Sequence, residues 1–293
     1  MRAELTVLEA GTLTTVQDEG RVGFAHLGVP RAGALDAPAA ALANRLVGNG
    51  PGAALLEVTL GGLQARLSVG RWVAVTGAPV PVLVDDRAVG HDRAEWVPAG
   101  ATVRLGTPRA GVRSYVAVSG GIAVDPVLGS RSTDTLAGVG PPVVAAGQVL
   151  PVGAPGDAPR PHDTPRPRPT GPLRVTPGPR ADWFDGDVVT ALCRTTYTVS
   201  ADSNRIGLRL DGPPLTRLRT DELPSEGMVL GAVQVPPSGT PVVFLADHPP
   251  TGGYPVVAVV DADDLWQCAQ LRPGDAVTFT PGRPPGAPRG PRR

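Results

Sequence analysis

The chain has 293 residues and a formal net charge of zero, with 41% hydrophobic but only 4% aromatic residues. Because nucleic-acid-binding proteins need a basic face or rings for base stacking, this composition argues against nucleic-acid binding. All 27 residues counted as Lys or Arg are Arg. The missing lysine excludes a Walker A loop and Schiff-base chemistry, and it means that biotin cannot be attached to this chain through a lysine amide.

The high content of glycine (38) and proline (35) predicts many turns between short strands. No apolar run reaches the roughly 18 residues that a membrane helix needs, and the first ten residues lack a secretory apolar region. We therefore expect a cytoplasmic protein with reduced thiols at Cys193 and Cys268. The four histidines and two cysteines are not spaced as metal ligands, so no metal site is predicted.

The first half is predicted to be mostly strand with one helix. Residues 5–9 and 11–16 favour strands, and a long polar loop follows up to Asp36. Residues 36–47 favour a helix, with Asp36 as N-cap and Gly48 as its stop. Further strands are predicted at 55–60, 63–69, 72–76, 80–84, 102–105 and 113–118.

The second half begins after residues 154–172, a Pro/Arg-rich linker or loop in which His162 is expected to be solvated. We predict an N-terminal domain at 1–153, a C-terminal domain at 173–281 and a disordered tail at 282–293. Helices are predicted at 182–193 and from Asp261 to the turn at 271–274. Strands are predicted at 173–177, 197–200, 207–210, 231–235, 241–246, 256–260 and 276–280.

The most informative stretch is residues 222–255, ELPSEGMVLGAVQVPPSGTPVVFLADHPPTGGYP. Its two apolar runs are joined by Pro-Pro-Ser-Gly, which predicts a hairpin with Gly239 at a positive φ. Polar residues surround both strands, and a Gly-Gly pair that lets backbone approach a ligand follows them. The pattern is typical of a rigid β scaffold with a polar site on its loops, and equally of a hairpin with a solvated rim.

Several motifs occur together in a fixed order: TVQDEGRVGFAHLGVPRAGALD (15–36), ANRLVGN (43–49), RSYVAVSGG (113–121), VLGSRSTD (127–134), SNRIGLRLDG (203–212), SEGMVLGAVQVP (225–236) and TGGYP (251–255). The sequence thereby resembles the carboxyltransferase-domain subdomain A and B family, also called allophanate hydrolase subunit 2. The resemblance spans nearly the whole chain except the linker and the tail. It implies a mainly β fold with a few helices, in which two cyclophilin-like β-barrel subdomains stand in tandem.

The resemblance leaves three functions open. The first is the C subunit of ATP-dependent 5-oxoprolinase, which opens the lactam of 5-oxo-L-proline to L-glutamate with the B subunit of that enzyme as direct partner and with its A subunit. ATP is then a ligand of the complex, not necessarily of this chain. The second is a carboxyltransferase half that acts on urea or a related amide and uses biotin carried on another chain. The third is a non-enzymatic regulator that binds a kinase-inhibitor partner.

A lactam-opening site needs donors for a developing oxyanion and a cation for the substrate carboxylate, a task that suits arginine. The polar loops supply the candidates, each of which could equally brace a loop, and Asp36 favours the capping role. The candidate catalytic residues are Asp18, Arg21, Arg205, Glu226 and Asp247. The candidate substrate-binding residues are Gln17, Arg31, Asp36, Asn204, Gln234, Thr251, Gly252, Gly253 and Tyr254.

Two stretches depart from the family pattern. Near residues 140–148 the family usually has a Gly-Arg and a Gly-Asp, where this chain has Pro141 and Gln148, a change near a strand entry that is expected to be structural. The family usually has a Gln-Thr pair before the Thr-Gly-Gly-Tyr-Pro motif, where this chain has Pro249 and Pro250. The two prolines remove two backbone donors and the glutamine amide. If that glutamine contacts substrate in relatives, a different substrate or rate is expected here.

Overall fold

The chain divides into two compact units. The structure, a computed structural model, describes residues 3–159, 168–219 and 221–282. The first unit comprises residues 1–168 with 269–271, and the second comprises residues 169–268 with 272–293. His162 and the core of the Pro/Arg-rich linker, as well as residues 283–293 of the tail, lie outside the described residues.

The first unit consists of two antiparallel sheets, one helix and a 3-10 turn at Ala25–Leu27. Its elements are β1 (Ala3–Ala10), β2 (Leu13–Gln17), α1 (Ala37–Leu46), β3 (Leu55–Thr59), β4 (Leu63–Leu67), β5 (Arg71–Gly77), β6 (Val82–Val84), β7 (Arg87–Val89), β8 (Ala94–Val97), β9 (Thr102–Leu105), β10 (Arg113–Val118) and β11 (Val149–Val152). One sheet has the order β11-β1-β4-β9-β6-β7 and the other has the order β2-β3-β10-β5-β8. Inward-facing side chains of both sheets, among them Val7, Leu56 and Val116, form one buried apolar core.

Helix α1 confirms the prediction for residues 36–47. The Asp36 side chain accepts a hydrogen bond from the Ala39 backbone N–H at 3.0 Å, which satisfies a donor of the first turn. Ala39, Ala43 and Leu46 pack the helix against the second sheet. Gly48 ends it at φ 75°, a conformation that favours glycine.

The second unit is organised around one eight-stranded sheet. Its elements are β12 (Leu173–Pro177), a 3-10 turn (Ala181–Trp183), α2 (Val188–Arg194), β13 (Tyr197–Val199), β14 (Gly207–Asp211), β15 (Glu226–Gly227), β16 (Ala232–Gln234), β17 (Val242–Phe244), β18 (Thr251–Gly252), β19 (Val256–Val260), α3 (Leu265–Cys268), β20 (Ala276–Val277) and β21 (Phe279–Pro281). The sheet order is β20-β13-β14-β17-β16-β19-β12-β21. Because its two end strands, β20 and β21, are consecutive in sequence, the sheet forms a nearly closed barrel. The mainly β, barrel-like architecture confirms the predicted fold class.

The predicted hairpin at residues 231–246 is confirmed. β16 and β17 pair antiparallel, with Val233 opposite Val243. The turn is closed by a 2.9 Å hydrogen bond from the Gly239 N–H to the Pro236 carbonyl, and Gly239 has φ 81°. The hairpin fixes the strand end from which residues 247–255 leave the sheet.

Both helices predicted in the second unit are shorter than expected. The helix predicted at 182–193 is interrupted, because Phe184 is extended and Gly186 has φ 58°. α2 begins only after Asp187, whose side chain accepts from the Thr190 N–H. The helix expected from Asp261 is only the short α3. The side chain of Asp264 instead accepts three hydrogen bonds from Arg174, at 2.7 to 2.9 Å.

Five strands escaped prediction. β7, β8 and β11 are three- or four-residue strands in turn-rich segments, and β15 and β18 form a ladder of two residue pairs. Strands of that length carry too little alternation to be recognised from sequence. In the part of the chain that is described, no helix is long and apolar enough to cross a membrane.

Candidate functional site

The first unit contains a cavity of about 470 Å³ beside the loop that follows β2. Its wall comes from the β2 end, from residues 31–34 and from one face of α1. The polar side chains that line it are Gln17, Asp18, Glu19, Arg31 and Asn44. The volume lies within the roughly 300–1,000 Å³ range of small-molecule sites. Three of the predicted site residues, Gln17, Asp18 and Arg31, therefore meet at one cavity.

Asp18 organises the two loops beside this cavity. Its carboxylate accepts hydrogen bonds from the Ser130 and Ser132 hydroxyls, both at 2.6 Å, and from the Arg131 N–H at 2.6 Å and the Gly20 N–H at 2.8 Å. Burial by itself raises the pKa of Asp18, but these donors outweigh it and hold the pKa below its ordinary value. A carboxylate so fully occupied suits a positioning role better than that of a proton acceptor.

Arg21 and Gln17 extend the same contacts. The Arg21 guanidinium is buried and donates to the carbonyls of Ser132 and Val127. The Gln17 amide donates to the Thr133 carbonyl and to the Thr15 hydroxyl, both at 3.0 Å. The Gly-Ser-Arg-Ser-Thr-Asp loop (residues 129–134) thus braces the loop that lines this cavity.

Arg31 is the cation of this cavity with the fewest protein contacts. Its side chain is exposed and donates one long hydrogen bond, 3.4 Å, to the Glu19 carbonyl. A guanidinium in that position keeps donors for a ligand, and it matches a carboxylate in a bidentate geometry. Arg31 is therefore the residue best placed to bind an acidic small molecule.

Asp36 differs from its neighbours because protein groups surround it. It is fully buried, caps α1 and pairs with Arg168 through two hydrogen bonds of 2.7 and 2.9 Å. Its backbone N–H donates to the Tyr115 hydroxyl, which donates in turn to Glu57. Burial raises the pKa of Tyr115 well above its ordinary value, so the phenol stays protonated and remains a donor. These contacts favour the capping role that the sequence indicated, and a substrate contact for Asp36 stays a prediction.

The second unit holds another group of the predicted residues, where β14 and β17 lie side by side. Arg205 and Asp247 form a buried bidentate ion pair there. Asn204 accepts from the Ile206 and Gly207 N–H groups, which makes it a turn residue.

His248 is a residue that sequence reasoning did not include among the candidates. Its ring stacks on Phe244 with 5.6 Å between centroids and 4° between planes. Nδ1 lies 2.8 Å from the Pro249 carbonyl oxygen, which accepts and so requires a proton on Nδ1. Burial lowers the pKa of His248. The ring is therefore held neutral, with its proton on Nδ1 and an unprotonated Nε2.

The Thr-Gly-Gly-Tyr loop is fixed by the β15–β18 ladder, in which Glu226 lies opposite Gly252. The Gln234 amide donates to the Tyr254 carbonyl at 3.1 Å. A Cβ on Gly252 would come within 2.8 Å of the Gln234 amide nitrogen, so a larger residue there would displace the Gln234 side chain. Hydrogen bonds from Arg180 hold the pKa of Glu226 below its ordinary value.

The two prolines that depart from the family pattern contribute their carbonyls to this loop. The Pro249 carbonyl accepts from His248, and the Pro250 carbonyl accepts from the Met228 N–H at 2.8 Å. Thr251 and Tyr254 are exposed, and Gly253 is half-buried. The loop is therefore ordered by backbone contacts that proline can make.

These features define a class of protein. Residues 27–281 match the family described as carboxyltransferase domain, subdomain A and B, and the chain belongs to that family.

Within the family the chain is similar to proteins of two kinds. It is 40% identical over 279 residues to the C subunit of the Escherichia coli 5-oxoprolinase, covering 94% of this chain and 90% of that protein. It is 33% identical over 307 residues to the urea amidolyase of Lachancea kluyveri. This alignment covers 94% of this chain but only 17% of that protein.

Solved structures show the same likeness. The chain matches crystal structures of TTHA0988 with a TM-score of 0.86 and 41% identity, over 96% of this chain and 55% of that one. It matches the Kluyveromyces lactis urea amidolyase with a TM-score of 0.87 and 31% identity, over 96% of this chain and 19% of that one. The chain thus spans about half the length of the TTHA0988 chain and a fifth of the amidolyase.

Proposed function

We propose that the protein is the C subunit of an ATP-dependent 5-oxoprolinase, which opens 5-oxo-L-proline to L-glutamate together with the A and B subunits of the same enzyme. The observation that carries this proposal is the 470 Å³ cavity with Arg31 on its wall. The cavity has the size for a small cyclic amide, and Arg31 has the charge for its carboxylate. The 40% identity to the C subunit of a known 5-oxoprolinase, along almost the entire chain, supports it.

The proposed chemistry begins at the lactam oxygen, because an unstrained amide is a poor electrophile. The oxygen attacks the γ-phosphorus of ATP, ADP leaves, and the phosphorylated amide carbon is then open to water. Water adds to that carbon and the ring C–N bond breaks, with a proton going to the nitrogen, which leaves an acyl phosphate. A second water hydrolyses the acyl phosphate, so that the products are L-glutamate, ADP and inorganic phosphate.

The residues of this chain have separate proposed roles in that reaction. Arg31 holds the substrate carboxylate, while Asp18 and Arg21 fix the loop after β2, which lines the cavity, to the loop at residues 127–134. ATP is proposed as a ligand of the complex and the B subunit is proposed as the direct partner. Arg205, Glu226, Asp247 and the residues of the 251–254 loop stay candidates for the chemistry of the second unit.

The alternative function is a carboxyltransferase half that acts on urea or a related amide. The observation that favours it is the similarity to urea amidolyases and to the Kluyveromyces lactis urea carboxylase structure, at 31% to 33% identity. In that function biotin is carried on another chain, since this one has no lysine.

The experiment that separates the two functions is a substrate comparison on the complex reconstituted with the A and B subunits. ATP hydrolysis is measured with 5-oxoproline, with urea and without either, and L-glutamate is quantified. The proposal expects turnover with 5-oxoproline and no biotinylated band on a streptavidin blot. Turnover with urea by a biotin-carrying complex overturns it.

A further inference from the structure

The first unit has a second, larger groove where both of its sheets end. β7 is the last strand of the six-stranded sheet and β8 is the last strand of the five-stranded sheet. The groove has a volume of about 1300 Å³, which exceeds the usual range of small-molecule sites. Its wall includes Leu46, Trp72, Asp86, Trp96 and Pro98. The volume of the groove and its position at the sheet ends favour a peptide segment, rather than a metabolite, as its ligand.

The outer backbone edge of β8 lies along this groove, and within the described residues it pairs with no strand. Trp72 lies opposite Trp96, and the Trp72 carbonyl accepts from the Ser119 N–H on the other side of β5. The backbone N–H and C=O of one residue in an antiparallel strand point to the same side, so those of Trp72 point away from β8. Because Trp96 lies directly opposite Trp72, the backbone N–H and C=O of Trp96 point away from β5. Ala94 is two residues before Trp96 on the same strand, so its backbone N–H and C=O also point away from β5. Among the described residues no further strand pairs with β8.

Trp96 adds an apolar anchor beside these groups. Its side chain packs edge-on against Trp72 at 5.5 Å between ring centroids, yet the residue stays 46% exposed. A Cβ on Gly70 would lie 2.6 Å from the indole, so glycine at that position makes room for it. An exposed tryptophan at an open sheet edge is the kind of residue that dominates binding interfaces.

The charges around the groove favour a basic occupant. Glu95 is matched within the protein, since it lies 2.8 Å from Arg93 and 4.0 Å from Arg87. The remaining charged residues of the wall are Asp85, Asp86 and Asp92. The Asp86 side chain is almost fully exposed and lies 3.5 Å from Arg104, which is itself exposed. The groove therefore carries a surplus of negative charge.

We propose that β8 is a strand-addition site for an extended, basic segment of the B subunit. The segment pairs with the outward groups of Ala94 and Trp96, lays an apolar side chain on the indole and brings basic side chains to the aspartates. β7 is not the acceptor, because it has only three residues and no exposed aromatic side chain. The identity of the partner rests on the proposed function, whereas the site rests on the sheet edge.

Two proline variants test the site with a matched control. Ala94→Pro removes an outward N–H of β8 without removing a bond to β5. Ala88→Pro makes the same change on β7. The Pro81 carbonyl accepts from the Gly106 N–H and the Asp85 N–H donates to the Thr102 carbonyl, so the backbone groups of Leu83 between them also point to β9, and those of Ala88, opposite Leu83, point outward. Calorimetry of the purified B subunit with the full-length chain is expected to show at least about tenfold weaker binding for Ala94→Pro and for Trp96→Ala. Ala88→Pro is expected to bind as the parent does, and circular dichroism verifies that each variant is folded.

The outcomes separate this proposal from the proposed function. If the complex forms and Ala94→Pro binds as tightly as Ala88→Pro, strand addition is overturned while the function stands. If both proline variants weaken binding equally, β8 is not the specific acceptor. If the B subunit does not bind at all, both proposals fail. Light scattering of the chain alone gives a further test. If the parent chain is a dimer and the Ala94→Pro variant is a monomer, a second copy of this chain occupies the β8 edge, which also overturns the proposal.

Discussion

Arg205 and Asp247 form a bidentate ion pair in the interior of the second unit. Arg205 Nε lies 3.0 Å from Asp247 Oδ2, and Nη2 lies 2.9 Å from Oδ1. The Asp247 N–H also donates to the Arg205 carbonyl at 3.0 Å, and both side chains are at most 1% exposed. The pair therefore joins the turn before β14 to the segment after β17, and it precedes His248 directly.

Breaking this pair is predicted to destabilise the second unit. Removing one member of a buried ion pair leaves an uncompensated charge, which costs about 3–5 kcal/mol. Arg205→Met is therefore expected to lower the free energy of unfolding by that amount in urea titration. Arg209→Met, at an exposed position on β14, serves as the control and is expected to change little. Equal effects of the two variants would show that the pair does not stabilise the fold.

Arg31 is predicted to act through substrate binding. A hydrogen bond to a charged group contributes about 1.5–3 kcal/mol, so Arg31→Gln is expected to raise the KM for 5-oxoproline roughly 10- to 150-fold in the reconstituted complex. Arg31→Lys keeps the charge but loses the bidentate geometry, and an intermediate KM is expected. Arg66→Gln, exposed on β4, is the control. An unchanged KM in Arg31→Gln would remove Arg31 from the site.

Asp18 is predicted to stabilise the fold as a carboxylate. Since its pKa is lowered in the folded state, its contribution is present above pH 3.8 and is lost as the pH falls through the folded pKa. Asp18→Asn is expected to cost at least about 2 kcal/mol at pH 7, because an amide cannot accept all four donors. The difference from the parent protein should narrow below pH 3.8, as measured by urea unfolding. Two results would contradict a stabilising Asp18 carboxylate. One is a difference in unfolding free energy between the parent and Asp18→Asn that stays constant from pH 7 to below pH 3.8. The other is an equal loss of stability in Asp202→Asn, at an exposed position.

His248 gives a second pH signature at higher pH. Burial lowers its pKa below the ordinary 6.5, so the unfolded chain takes up a proton first as the pH falls. The stability of the parent protein is therefore expected to decrease from pH 6.5 downward. His248→Gln should flatten that decrease, and His26→Gln, at an exposed position, should leave it unchanged. The same slope in the parent and in His248→Gln would mean that the imidazole is not held neutral.

The regular elements were predictable where a local pattern determined them. Strands at 102–105, 113–118, 173–177 and 256–260 have the predicted bounds, and α1 has its cap and its stop where the residues indicate them. The helix at 182–193 was not predictable, since apolar spacing conceals the left-handed conformation of Gly186. Helix propensity is a weak guide to secondary structure where one backbone conformation or one tertiary contact determines whether a helix forms.

The candidate site was predictable in residue type more than in arrangement. Sequence reasoning selected Asp18 and Arg21 from a polar loop but did not join them to Ser130 and Ser132, more than 100 residues away. It also passed over His248, because the shift of its pKa arises from burial rather than from a motif. Long-range contacts and burial are properties of the folded chain, which local patterns do not contain.

The most direct test of the proposed function is ATP hydrolysis that depends on 5-oxoproline, measured with the A and B subunits in the presence and in the absence of this chain. The proposed function predicts glutamate release, together with ATP hydrolysis, that disappears when the chain is omitted and is restored when it is added back. The same activity from the A and B subunits without the chain would contradict the proposal, and so would a well-formed complex of all three proteins that has no activity.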